Sequence, residues 1–175
     1  MARNNWYLQG VLLAGLLGGC ATMGGGGPRA TAQLQPTRGN DVTGNVTFTQ
    51  KGDKVVVAAK VSGLKPNQEH GFHVHEKGDC SSGDGMSASG HFNPKGSPHG
   101  HYSTQGRHAG DMPNLKADAY GNANMTAELD IVTVSDGQTS VLGRGLIVHA
   151  QPDDYKSQPV GNAGPRMACA VIQKS

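Results

Sequence analysis

The stretch GFHVHEKGDC (residues 71–80) and the run SGHFNPKGSPHGHYSTQGRHAGD (residues 89–111) hold six of the chain's eight histidines, and the rest of the chain is read around them. In Gly71-Phe72-His73-Val74-His75 apolar and imidazole side chains alternate. As a strand, a period of two puts His73 and His75 on one face and Phe72 and Val74 on the other. His91, His99, His101 and His108 follow among Gly, Pro, Ser and Asn, and Asp111 closes the segment. No helical or strand period survives there, so it reads as a long loop. A long loop in a compact domain is either disordered or functional. A bound metal is the economical way to hold one so rich in imidazole.

The candidate ligands fall into two groups. His73 and His75 share a strand face and are joined by His149, at the end of the apolar run Leu146-Ile147-Val148-His149. His99, His108 and Asp111 are spaced so that the loop can fold back on one ion. His91 lies between the groups and can serve either, or both at once through its two ring nitrogens. Neutral imidazole suits copper and zinc, and a carboxylate is a harder ligand that zinc also accepts. His70 reads as a histidine bonded to backbone. His101, two residues from His99, competes with it as a ligand.

Outward from this centre the chain reads as all-β. Val42–Thr49 and Val55–Val61 alternate around a Lys51-Gly52-Asp53 turn, and further strands are expected over Asn114–Asp118, Met125–Val134, Leu146–His149 and Arg166–Ile172. Short strands at this spacing, with turn signals between them, suggest a sandwich or Greek-key barrel.

The N-terminus reads differently. Arg3 precedes the apolar run WYLQGVLLAGLL (residues 6–17) and Gly18-Gly19-Cys20. Residues 1–19 thus have the form of a bacterial secretory signal, shorter than the roughly 20 apolar residues of a membrane span. The Leu-Leu-Gly-Gly-Cys ending resembles a lipobox, which would leave Cys20 as a lipid-modified N-terminus. Residues 20–39 are then a lipidated end and a glycine-rich flexible tether, and residues 40–175 the folded domain. This predicts a periplasmic protein anchored to a bacterial membrane, the outer one. Cys80 and Cys169 remain, and in an oxidising compartment a disulfide is expected, with two free thiol ligands as the alternative. With 15 Lys plus Arg against 13 Asp plus Glu, scattered without a basic stripe, no nucleic-acid partner is expected.

The runs Gly71–His75 with Gly78-Asp79-Cys80, Gly90-His91-Phe92-Asn93-Pro94, Arg107-His108-Ala109-Gly110-Asp111, Gly143–His149 and Gly161–Cys169 together resemble the bacterial copper–zinc superoxide dismutases, in order, over about residues 40 to 175. The resemblance implies a flattened eight-stranded Greek-key β-barrel that dismutates superoxide by alternate reduction and oxidation of a histidine-bound copper ion. It assigns copper to His73, His75, His91 and His149, and zinc to His91, His99, His108 and Asp111, with His91 as the bridge. It favours His99 over His101 and implies a Cys80–Cys169 disulfide. Arg166 matches the arginine lining the family's anion channel. Asp153 matches an aspartate linking a copper-ligand histidine to a zinc-ligand histidine, without indicating which copper ligand. Lys95 and Lys156 are candidates for steering the superoxide anion. Bacterial members include monomers and dimers, so a homodimer is among the implied partners.

Overall fold

The computed structural model describes Met1 and residues 26–175. Residues 2–25, on which the expected signal segment, Cys20 and the first part of the tether fall, lie outside the described residues.

The domain begins earlier than the composition suggested. Arg29–Pro36 is a strand, β1, not a tether, and it pairs antiparallel with β2 (Thr43–Lys51) from Arg29↔Thr49 to Leu34↔Gly44. Its small residues conceal the pattern. Ala30, Ala32 and Leu34 point inward while Arg29, Thr31 and Gln33 face out, so the period of two is present at low hydrophobicity. β3 (Lys54–Ser62) follows β2 through a tight turn in which Lys51 pairs with Lys54 and Gly52 takes φ 59°. Val55, Val57, Ala59 and Val61 form its buried face.

The remaining strands are β4 (Glu69–His70), β5 (Phe72–His75), β6 (Leu115–Lys116), β7 (Ala123–Leu129), β8 (Gly145–His149), β9 (Arg166–Val171) and β10 (Gln173–Lys174). One antiparallel eight-stranded sheet runs β5-β8-β9-β1-β2-β3-β7, with β10 also on β1, and β4 pairs with β6. This is the curled sheet of a flattened Greek-key β-barrel. The strand expected over Met125–Val134 stops at Leu129. Beyond it the Gln50 side-chain oxygen accepts from the Val134 N–H and the Thr133 hydroxyl, which gives that backbone a partner outside a ladder.

β5 and β8 position the site. Both are buried throughout and pair from Phe72↔Val148 to His75↔Gly145. Phe72, Val74, Leu146 and Val148 enter the barrel core, whereas Ile147 packs with Ala88 and Cys169 on the opposite side. His73, His75 and His149 therefore lie on the face away from the core. Two long loops cover that face.

Candidate metal centre

The histidine loop is held by pairing with β5. Val74 N–H donates to Gly110 O, Phe92 N–H donates to Val74 O and Gly110 N–H donates to Phe92 O, at 2.9–3.0 Å. Isolated bridges join His73 to Asp111 and His75 to His91. Gly110 has to be glycine, because a Cβ there would sit 2.1 Å from the Val74 carbonyl. The loop is thus laid along the strand carrying the first two histidines, and its own ligands are brought over them.

Two four-residue sets result, each with its ligand atoms within 4.8 Å of one another: His73, His75, His91 and His149, and His91, His99, His108 and Asp111. All seven residues are buried. Which nitrogen of each ring faces inward follows from what holds the other. His75 Nδ1–H donates to Ser89 O at 2.8 Å and His149 Nδ1–H to Gly164 O at 3.0 Å, leaving the two Nε2 atoms 3.4 Å apart. His73 Nε2 bonds Asp153 Oδ2 at 2.8 Å, which turns its Nδ1 inward. On the other side, Nδ1 of His91, His99 and His108 all converge on Asp111 Oδ1, at 2.8, 3.0 and 3.3 Å. His91 is the shared ring, with Nδ1 toward Asp111 and Nε2 toward the first set.

The sets differ in charge. Burial pushes His73 and His75 well below the usual histidine range, lowers His91, and takes His149 to about 4. The first set is therefore neutral and has free lone pairs near pH 7. Burial also opposes charge on His99, but the hydrogen bonds its ring donates to Asp111 and Asp153 outweigh it and raise that ring to about 9. Burial disfavours the Asp111 carboxylate, yet bonds from His108, His91 and His99 hold it far below the usual carboxylate range.

The donors fit copper and zinc. His73 Nδ1 and His91 Nε2 are buried with no hydrogen-bond partner among the described residues, a costly arrangement that a metal ion would satisfy. Four imidazoles suit copper, and three imidazoles with a carboxylate suit zinc.

Asp153 lies between the sets, its Oδ2 on His73 and its Oδ1 on His99 at 2.9 Å, so the copper-set histidine it grips is His73. Gly161 leaves room for it, since a Cβ there would lie 1.8 Å from Asp153 Oδ1. Asn114, expected at the start of a strand, instead brackets the Asp153 backbone, accepting from its N–H and donating to its carbonyl. No local pattern marks that role. His70 Nδ1 bonds His149 O at 2.9 Å, and His101 joins neither set, bonding Ser103 Oγ instead. Arg166, at the start of β9, donates to the carbonyls of Gly85 and Ser89. The Cys80–Cys169 disulfide ties that loop to β9. Lys95 and Lys156 are both exposed on the loops.

A Greek-key barrel carrying two adjoining metal-ligand sets that share one imidazole defines a two-metal β-barrel protein. The copper/zinc superoxide dismutase (SODC) family pattern matches residues 42–172. The chain is 42% identical over 149 residues to copper–zinc superoxide dismutase 2 of Aquifex aeolicus, covering 83% of this chain and 86% of that one. It is 42% identical over 137 residues to the copper–zinc superoxide dismutase of Paramecium bursaria Chlorella virus 1, covering 75% and 72%. Among solved structures, that of the clock protein EA4 superposes with a TM-score of 0.76 at 41% identity, covering 83% of this chain and 93% of that one. The chain belongs to the copper/zinc superoxide dismutase family.

Proposed function

We propose that the protein dismutates superoxide to dioxygen and hydrogen peroxide, consuming two protons for every two superoxide ions. The observation that carries this reading is His91, a buried ring whose two nitrogens face two different ligand sets. His73, His75, His91 and His149 would hold copper, and His91, His99, His108 and Asp111 would hold zinc. Copper, when bound, supplies the one-electron chemistry that zinc cannot. The residues supply the rest. The Arg166 guanidinium, held by two carbonyls at the edge of the site, attracts and orients the anion. His91 takes up and returns a proton at Nε2, while Nδ1 stays committed to the zinc set.

The test is superoxide decay by the full chain loaded with copper plus zinc, compared with zinc alone. Rapid decay that requires copper is expected, with Arg166→Ala lowering kcat/KM about tenfold. Absence of copper-dependent decay in folded protein holding both metals would leave metal buffering as the function.

A second expectation concerns protons. Zinc needs a lone pair on His99, but with its acidity set at about 9 the metal-free ring carries a proton at pH 7. Zinc binding should therefore release at least one proton at neutral pH, and affinity should rise with pH up to about 9. The histidines specific to the copper set have no such proton to lose. Calorimetry in buffers of different ionisation enthalpy measures the proton count, and a value of zero would contradict the arrangement.

The N-terminal sequence supports export and lipidation at Cys20, with the barrel held at a periplasmic membrane face, the outer membrane being the expected one. Expressed in a bacterium, the full chain should incorporate labelled palmitate, and Cys20→Ser should abolish it. Equal labelling of both would remove the anchor from this account.

A further inference from the structure

Gln158, in the segment between β8 and β9, directs its side chain to the backbone of one zinc-set histidine. Its Oε1 accepts from the His99 N–H at 2.8 Å, and its Nε2–H donates to the His99 carbonyl at 2.9 Å. The carboxamide pairs with His99 much as a neighbouring strand would. Among the described residues no backbone–backbone hydrogen bond reaches His99, which sits in the run Gly96-Ser97-Pro98-His99-Gly100, outside any strand or helix. Both of its main-chain polar groups therefore rely on Gln158.

The ring of His99 is aimed by Asp111 at Nδ1 and by Asp153 at Nε2. Those bonds orient the imidazole only if its Cα is also fixed. We infer that Gln158 is a positioning residue for His99, a side-chain latch that fixes this ligand's backbone and slows loss of the ion from the His91–His99–His108–Asp111 set. The inference rests on that set holding zinc. Asp153 and Gln158 lie on one segment, so the same stretch of chain grips His99 by its ring and by its backbone. Gln158 is otherwise exposed, and replacing it removes no core packing.

The test uses the full chain loaded with copper and zinc, and follows zinc release to a chromophoric chelator. Gln158→Ala should release zinc about 5- to 20-fold faster, the effect of losing two neutral hydrogen bonds, with copper retention unchanged. Gln158→Glu keeps the acceptor for the His99 N–H but turns a carboxylate oxygen toward the His99 carbonyl, so it should release zinc at least as fast. Cobalt(II) placed in the zinc set should show a shifted visible spectrum in both variants. Asp154→Ala is the control. Its carboxylate caps the Lys156 and Ser157 N–H groups in the same segment and touches no ligand, so release should stay within about twofold. Release from Gln158→Ala at the parent rate would overturn the latch, as would equal acceleration by Asp154→Ala, which would mark general loosening of the segment. A parent protein that retains no zinc would overturn the zinc assignment itself, and the latch with it.

Discussion

Asp153→Ala is expected to weaken zinc binding by about 10- to 100-fold, the usual cost of removing a partner that orients a metal ligand. The carboxylate is buried, and its two oxygens bond His73 Nε2 and His99 Nε2. Without it both rings keep a buried nitrogen with nothing to bond, and each is free to take the tautomer that turns a protonated nitrogen toward its metal. Asp153→Asn should do little better, because an amide accepts from one ring while presenting its N–H₂ to the other. Copper should be held more firmly than zinc in both variants. His75 and His149 keep their carbonyl partners, Ser89 and Gly164, whereas His99 loses its outer bond. Competition with a chromophoric chelator measures both affinities. Zinc affinity at the parent value in folded Asp153→Ala would show that Asp111 alone aligns His99.

The two ligand sets were legible because the residues carrying them are chemically distinctive and locally ordered. His73 and His75 alternate with Phe72 and Val74, and the structure sends the two pairs to opposite faces of β5. Residues whose role depends on a distant backbone were not legible. Asn114 brackets Asp153 across 39 residues, and Gln158 pairs with His99 across 59, and neither leaves a periodic or compositional trace. The family resemblance, not any local pattern, picks Asp153 over the adjacent Asp154, and in the structure the two separate by direction. Asp154 caps its own turn in solvent, while Asp153 points inward between two imidazoles. β1 was missed for another reason. Alanine at two of its three inward positions gives little hydrophobic signal beside a glycine-rich run, and pairing with β2, β9 and β10 makes it a strand.

Removing the Cys80–Cys169 bridge is expected to cost the metal-free protein about 4 to 5 kcal/mol, the chain-entropy value for a closed loop of roughly 90 residues. The paired cysteines are separated by 89 residues, so the unfolded chain gains the freedom of about half its length when the bond is lost. The comparison belongs to the metal-free state, since bound ions stabilise each form according to its own metal affinity, and any difference in affinity would add to the chain-entropy effect. Denaturant unfolding of the Cys80→Ser, Cys169→Ser double variant against the parent gives the value, and a loss below about 1 kcal/mol would rule out the loop-closure account. The bridge should matter for the site as well. It fastens to β9 the loop whose Gly85 and Ser89 carbonyls hold the Arg166 guanidinium, and the same Ser89 carbonyl fixes the His75 tautomer. With the loop released, Arg166 keeps its charge but loses its fixed direction, and His75 loses the bond that keeps Nε2 free for copper. The double variant should therefore lose superoxide-dismutating activity at denaturant concentrations where it remains folded. A bridge that served stability alone would leave folded protein fully active.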